Sequence, residues 1–270
     1  MRNSFLNNMP PVTKNLIIIN LIVWLAAYVL QIRGIFDVNE FFGLHYWAAE
    51  KFNLTQLLTY MFLHATVDPV THSIVFGHVF FNMFAVFMFG MVLERFWGSK
   101  RFLFYYLFCG VGAGVVQEIV WTIDFHSLQS AFSHAISSSS VEPLLPFQTE
   151  FAKYFQITNF QSLTIEQILQ LKSALFGLFN TVGASGAVFG ILLAFGWLFP
   201  KEKIYFYFLI PIQARIFVIL YGIAELFYGV ASFRGDNVAH FAHLGGMLFG
   251  LILLLWWHKK GHNKNWSQTS

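Results

Sequence analysis

The sequence predicts an all-α polytopic membrane protein, a bundle of six transmembrane helices. Of its 270 residues, 57% are hydrophobic and only 11% are charged, and the mean hydropathy is +0.60. Soluble domains carry about 25% charged residues, so this composition excludes a soluble protein. The net charge of +3 is small and scattered along the chain, which excludes a nucleic acid as the partner. The single cysteine, Cys109, excludes a disulfide framework.

Six apolar runs come close to the length that crosses the hydrocarbon core of a bilayer, about 20 residues per helix. The first run lacks a small-residue cleavage site, so we expect an anchor there and not a signal peptide. No internal repeat is visible, and we expect one membrane domain over residues 1–270 with an outer loop insertion at about 122–172 and a short tail at 258–270. The predicted spans are 15–31, 75–94, 102–121, 183–199, 214–232 and 238–257.

The distribution of Lys and Arg predicts the orientation of these spans. With the N-terminus in the cytoplasm, 11 of the 16 basic residues fall on the cytoplasmic side and 5 on the other. Cytoplasmic loops carry an excess of positive charge, so both termini are expected to be cytoplasmic. The basic tail from His258 to Ser270 is then placed to touch anionic lipid head groups.

The insertion between the third and fourth spans contains a second helical signal. Thr164 followed three residues later by Gln167 is typical of a capping box. Two interpretations stay open for the helix that would follow: an amphipathic helix lying in the membrane interface, or a lid that contacts substrate. Its predicted apolar face consists of Ile165, Ile168, Leu169 and Leu175.

Polar and ionisable side chains inside the spans are candidates for function, because burying them in lipid is costly. In the predicted topology, spans two, four and six run in the same direction. Four polar residues lie near the starts of these spans and therefore at a similar depth, toward the outer face: His78, Asn82, Ser185 and His243. His240 and Glu225 also lie in the predicted spans.

Together these four residues could carry out acyl transfer. The hydroxyl of Ser185 becomes a nucleophile when a base takes its proton, and His243 suits that role because an imidazole titrates near neutral pH. His78 and Asn82 are spaced i, i+4 and so project from one helix face. They could donate to an oxyanion, as could the backbone N–H of Ser185 near a helix N-terminus.

Glycines explain how the serine and the histidine could meet. Spacing of small residues at i and i+4 lets helix backbones approach closely in lipid. His243 precedes two of these glycines by three and seven residues, so it shares their face. The predicted helix-packing glycines are Gly183, Gly186 and Gly190 at the fourth span and Gly246 and Gly250 in the sixth.

Three motifs in this order resemble the rhomboid intramembrane serine proteases. They are "HVFFNMFAVFMFGMVLERFWGSKRF" from His78, "GASGAVFG" from Gly183 and "AHFAHLGGMLFG" from Ala239. The similarity runs from "QLLTYMFLH", which begins at Gln56, to the sixth span. The chain differs from the usual family pattern in a longer connection between His64 and His78 and in a longer loop after the third span.

The resemblance implies a rhomboid-like bundle that cleaves peptide bonds in or near transmembrane segments of other membrane proteins. Ser185 and His243 would form a two-residue dyad, with the oxyanion site at His78, Asn82 and Ser185, and Phe189 would stack on the imidazole. The expected partners are transmembrane protein substrates and the lipid bilayer, without metal or cofactor. Six spans resemble the bacterial form, which implies a bacterial cytoplasmic (inner) membrane.

The same resemblance implies lateral substrate access between helices and a mobile outer loop over the site, here from Ala231 to Ala239. His240 and Glu225 are expected to have structural roles, Glu225 as a hydrogen bonder between helices. An alternative function is a catalytically inactive relative that binds membrane-protein clients. A transporter would predict repeats in the sequence, and none is visible.

Overall fold

The computed structural model describes residues 8–68, 71–157, 159–206, 209–231 and 239–261. A π-helical turn over Val86–Gly90 joins α4 to α5, and β3 pairs antiparallel with β4. The helices are α1 (Pro11–Ile32), α2 (Val38–Phe42), α3 (Gln56–Thr59), α4 (Phe76–Ala85), α5 (Met91–Trp97), α6 (Ser99–Asp124), α7 (His126–Ser138), α8 (Gln148–Phe151), α9 (Ile165–Gly177), α10 (Ser185–Leu198), α11 (Ala214–Ala231) and α12 (His240–Lys259). The strands are β1 (Leu44–His45), β2 (Asn180–Thr181), β3 (Lys203–Phe206) and β4 (Ile210–Gln213).

Among the described residues, five helical stretches are long and apolar enough to cross a membrane: α1, α4 through α5, α6, α11 and α12. They confirm the prediction of an all-α polytopic membrane protein. The fourth predicted span corresponds to α10, which is apolar but has only 14 residues. At 1.5 Å per residue it rises about 21 Å, less than the roughly 30 Å of a bilayer core.

The chain divides into two compact units, and the first is drawn from Met1–Gly43, Leu54–Gln117 and Thr181–Ser270. Its centre is the packing of α10 against α12. A Cβ at Gly246 would fall inside the van der Waals radius of the Gly186 carbonyl group, so these backbones are in direct contact. Gly190 faces Cys109 of α6, and the Tyr105 hydroxyl donates to the Gly190 carbonyl oxygen at 2.9 Å.

Two of the predicted packing glycines have other surroundings. Gly250 packs against α6, since the atoms nearest to a Cβ there belong to Tyr105 and Cys109. The prediction that Gly183 packs helices is wrong, because this residue precedes α10 and has a φ of +138°. A side chain there would be strained whatever the space, and the place of its missing Cβ borders His78 and Ser185.

A buried carboxylate, Glu94, joins α5 to the start of α1 within the first unit. Glu94 in α5 accepts hydrogen bonds from the backbone N–H groups of Val12 and Thr13 at 2.9 and 2.7 Å. The hydroxyls of Thr13 and Ser99 donate to the same carboxylate at 2.7 and 2.6 Å. Glu94 therefore caps the first turn of α1, whose N–H groups have no partners within the helix.

The second unit, Leu44–Asn53 and Glu118–Asn180, contains the predicted insertion. Its core is aromatic, with Phe132, Phe151 and Phe176 fully buried. The capping box of α9 is confirmed, since Thr164 and Gln167 exchange both hydrogen bonds.

The predicted apolar face of α9 is wrong in part. Ile168 and Leu175 are buried, but Ile165 and Leu169 are exposed. Leu171 and Phe176 are buried in their place.

Two predicted segments reach beyond the described part of the chain. In the outer loop from Ala231 to Ala239, residues 232–238 lie outside the described residues. The same holds for residues 262–270 of the predicted tail.

Candidate active site

Ser185 is the first residue of α10, and the packing of α10 on α12 brings it to His243. The hydroxyl oxygen of Ser185 lies 2.8 Å from Nε2 of His243, within hydrogen-bond distance. His243 is buried, with 8% of its surface exposed. The direct contact of Gly186 with Gly246 lies one residue from Ser185 and three from His243, so this close backbone approach supports the hydrogen bond.

The other ring nitrogen of His243 is held by a carboxylate on a third helix. Nδ1 lies 2.8 Å from Oε2 of Glu225 in α11, and Glu225 is buried. An ionised carboxylate only accepts hydrogen bonds, so the neutral imidazole carries its proton on Nδ1. Nε2 then presents its lone pair to the Ser185 hydroxyl, which is the arrangement a general base requires.

Glu225 contacts a second histidine as well. Oε2 lies 2.6 Å from Nδ1 of His240, whose ring stacks on Tyr228 with centroids 5.6 Å apart. Glu225 thus forms hydrogen bonds between α11 and α12, as expected from sequence, but its partners could not be named there. The sequence did not predict the pairing of His240 with Glu225, although His240 lies one turn before His243 in the sequence.

These three side chains could also hold a cation. Glu225, His240 and His243 each offer one ligand atom, and the three atoms lie within 4.8 Å of one another. Two imidazoles and a carboxylate are a donor set found at zinc sites. The hydrogen bonds of Glu225 account for the same arrangement without an ion.

Phe189 lies one turn after Ser185 on α10. Its ring is stacked on the His243 imidazole, with centroids 4.3 Å apart and planes inclined by 7°. A second aromatic ring, Tyr221 of α11, also contacts Phe189, with centroids 4.9 Å apart. The imidazole is therefore fixed by hydrogen bonds at both nitrogens and by an aromatic face.

His78 borders the same site from α4. Its Nδ1 accepts the backbone N–H of Ala65 at 3.3 Å, so the neutral ring carries its proton on Nε2. The missing Cβ of Gly183 would lie 3.0 Å from this Nε2 and 3.6 Å from the Ser185 hydroxyl oxygen. An N–H donor and the serine hydroxyl thus border one small space, which exists because Gly183 has no side chain.

Asn82 follows His78 by one turn and is buried. Its side-chain amide donates one hydrogen bond to the His78 carbonyl oxygen at 2.9 Å. An asparagine amide has two N–H donors, so a second donor stays available. The described contacts of Asn82 do not include Ser185.

His64 supports the segment just before the serine. Its Nε2 accepts the Ala184 backbone N–H at 3.5 Å, and its ring stands edge-on to His78 with centroids 5.1 Å apart. Burial, and to a smaller degree the neighbouring His78, lowers the pKa of His64 to about 3, so the ring is neutral at pH 7. These contacts place His64 between α4 and the backbone that leads into α10.

The arrangement of serine, histidine and two candidate donors occurs in a chain that matches a known family. A model of the Rhomboid domain matches residues 51–122 and 142–260. The chain belongs to the rhomboid family. The matched residues include all of the candidate site, from His64 through Ser185 to His243.

Two rhomboid proteins are similar to this chain. Rhomboid-like protein 11, chloroplastic, of Arabidopsis thaliana is 25% identical over 199 residues, which cover 69% of this chain and 64% of that protein. Rhomboid protein 1, mitochondrial, of Saccharomyces cerevisiae is 29% identical over 166 residues, or 56% of this chain and 46% of that protein. This chain therefore spans less than two thirds of the length of these curated relatives.

The comparisons and the helices show an integral, multi-pass membrane protein of the rhomboid family. The names of the two relatives place them in a chloroplast and a mitochondrion. They do not support the prediction of a bacterial inner membrane.

Proposed function

We propose that this rhomboid protein is a serine protease that cleaves peptide bonds in or near transmembrane segments of other membrane proteins. The observation that carries the proposal is the 2.8 Å contact between the Ser185 hydroxyl oxygen and Nε2 of His243. The proton on Nδ1 of His243, set by Glu225, leaves Nε2 free to act as a base. Membership of the rhomboid family supports the same reaction class.

In the proposed mechanism, His243 Nε2 takes the proton from Ser185 as the serine oxygen attacks the carbonyl carbon of the scissile bond. The resulting imidazolium then gives this proton to the leaving amine nitrogen, and the peptide bond breaks. Water attacks the acyl-enzyme by the same route, with His243 again as the base, and returns the Ser185 hydroxyl. The serine and histidine thus end the cycle unchanged.

The negative charge that develops on the carbonyl oxygen needs donors. The space beside Gly183 suits this oxygen, because Nε2–H of His78 borders it. The second N–H of Asn82 and the backbone N–H of Ser185, in the first turn of α10, would complete the set. Each such donor contributes about 10²–10³-fold in rate.

The proposed setting is a lipid bilayer with both termini in the cytoplasm and the Ser185 end of α10 toward the outer face. The excess of Lys and Arg in the predicted cytoplasmic segments supports this orientation. The expected partners are transmembrane segments of substrate proteins. The mechanism uses only side chains of this chain and water.

A fluorophosphonate probe tests the proposal without knowledge of the substrate, since its phosphorus accepts the activated serine oxygen and releases fluoride. The protein, purified in detergent with added lipid, would be labelled beside Ser185→Ala and His243→Ala. Ser133→Ala is the control, because Ser133 is exposed on α7 and bonds only to the Gln129 carbonyl oxygen among its described partners. We expect labelling in the wild type and the control and none in the other two.

Equal labelling of all four proteins would contradict the assignment of Ser185. Absence of labelling in the lipid-restored wild type would favour the alternative, an inactive binder of membrane-protein clients. Cleavage of a model transmembrane substrate in proteoliposomes, lost in Ser185→Ala, would extend the result from the nucleophile to the protease.

A further inference from the structure

The buried carboxylate of α11 has more than a packing role. Glu225 is 6% exposed within a helix long and apolar enough to span a membrane. A charged carboxylate in such a place is costly unless it is paired and hydrogen-bonded. The partners it has are two imidazoles, and one of them is the proposed base.

We propose that Glu225 is a positioning residue of the active site. It forms a triad with His243 and Ser185, in place of the two-residue dyad. This inference rests on the proposed function. It assigns the carboxylate to a reaction for which the sequence indicated only a serine and a histidine.

The contacts run in one line from the carboxylate to the nucleophile. Oε2 of Glu225 lies 2.8 Å from Nδ1 of His243, and Nε2 of the same ring lies 2.8 Å from the Ser185 hydroxyl oxygen. During the reaction the proton moves from the serine oxygen to Nε2, while the Nδ1 proton stays on the ring and Glu225 stays ionised. The carboxylate fixes the tautomer and stabilises the imidazolium that forms.

The sequence of α11 explains why this carboxylate reaches α12. Gly222 and Gly229 lie three residues before and four residues after Glu225, so all three share one helix face. A Cβ at Gly229 would lie 3.3 Å from Cβ of His240, and one at Gly222 would lie 3.3 Å from the tip of Met247. The two glycines bring this face of α11 close to α12, and Glu225 stands between them.

The second imidazole holds the carboxylate in place. Nδ1 of His240 lies 2.6 Å from the same Oε2 that contacts His243. Two donors on one oxygen offset part of the cost of its burial. His240, itself stacked on Tyr228, therefore supports the triad through Glu225.

The first test compares Glu225→Gln with Glu94→Gln by the rate of fluorophosphonate labelling at one fixed pH. Both variants replace a buried carboxylate by an amide of the same shape. Glu94 lies outside the site and caps α1. Rates are normalised to the folded protein, and thermal unfolding is recorded beside them.

We expect Glu225→Gln to label about 10–10³-fold more slowly than the wild type, because the imidazolium loses its carboxylate. Among the described residues, the titratable and nucleophilic groups that face His243 are Ser185 on α10, His78 on α4, Glu225 on α11 and His240 on α12. Of these, Glu225 alone is changed in the variant.

Glu94→Gln should lower the unfolding temperature and leave the normalised rate unchanged. A wild-type rate in Glu225→Gln would overturn the inference. So would a fall in rate with no change in the tautomer balance of His243, because a role limited to packing gives that result.

A second measurement does not depend on activity. In protein labelled with ¹⁵N-histidine, the His243 signal, identified by its loss in His243→Gln, should report a ring protonated at Nδ1. Glu225→Met, which removes the acceptor at similar volume, should change this tautomer balance. An unchanged His243 signal in Glu225→Met would overturn the inference. Absence of fluorophosphonate labelling in the wild type would count against the proposed function alone.

Discussion

Replacing Gly246 by alanine is expected to move His243 away from Ser185. The added Cβ would lie 2.6 Å from the carbonyl carbon of Gly186 and closer still to its oxygen. Carbon atoms pack at about 3.5–4.0 Å, so α12 must retreat from α10 by about 1 Å. Both obstructing atoms belong to the backbone, and no side-chain rotation can relieve the overlap.

This displacement is enough to break the contact at the site. Adding about 1 Å to the 2.8 Å between Nε2 of His243 and the Ser185 hydroxyl oxygen gives roughly 3.8 Å, beyond hydrogen-bond distance. A misplacement of this size costs about 10²-fold in rate. The overpacking should also lower the free energy of unfolding by about 1–3 kcal/mol.

The assay is the rate of fluorophosphonate labelling per folded protein, recorded with the thermal unfolding temperature in detergent. Gly177→Ala is the matched control, because Gly177 ends α9 and a Cβ there would have no other heavy atom within 4 Å. We expect the control to retain the labelling rate of the wild type. A wild-type rate in folded Gly246→Ala would refute the argument that this glycine contact sets the distance between Ser185 and His243.

Three further outcomes are expected. Folded His64 has a pKa of about 3 against 6.5 for the unfolded chain, so its contribution to stability is complete above about pH 6.5 and falls as the pH drops toward 3. At pH 4.5 the free energy of unfolding has fallen by about 2–3 kcal/mol from this residue. The unfolding temperature of His64→Gln should therefore fall less between pH 7.5 and pH 4.5 than that of the wild type. An equal fall in both proteins would contradict this. Phe189→Leu should slow labelling several-fold by releasing the imidazole face, with Phe189→Tyr as the control that keeps the stack; equal rates in all three proteins would show that the stack is dispensable. Zinc ions should slow labelling reversibly by binding Glu225, His240 and His243, since zinc ligands about 3.3 Å apart fit a cluster of this size; an effect that persists unchanged in His240→Ala would place the ion elsewhere.

The parts of the site that lie on a single helix could be predicted from the sequence. Ser185 stands before small residues that open an apolar run, and His243 precedes a glycine pair, so their residue types and spacing were informative. His78 and Asn82 share a face because of their spacing. These features depend on helix periodicity alone.

The pairing of Glu225 depends on how two helices are rotated about their axes, and periodicity does not give that rotation. The signal that could have revealed it was the pair of glycines that flank Glu225, Gly222 and Gly229, which mark the face that meets α12. The role of Gly183 was predicted wrongly because its φ of +138° is a property of the loop and not of a helix. The start of α10 at Ser185 likewise depends on the backbone before it.

The shortness of α10 has a consequence for the transmembrane substrates of the proposed reaction. A span about 9 Å shorter than the hydrocarbon layer creates a hydrophobic mismatch, which draws the bilayer thinner or admits water at the short end. The peptide groups there already find polar partners, as Gly183 N–H donates to the Tyr60 carbonyl oxygen at 3.0 Å and Ala184 N–H to His64. A substrate helix must break its own hydrogen bonds before a serine can reach its carbonyl carbon, and in lipid each broken bond costs several kcal/mol. On the proposed function, a bilayer thinned beside α10 would lower that cost for a segment that lies against this helix, and so would favour segments whose helices unwind easily.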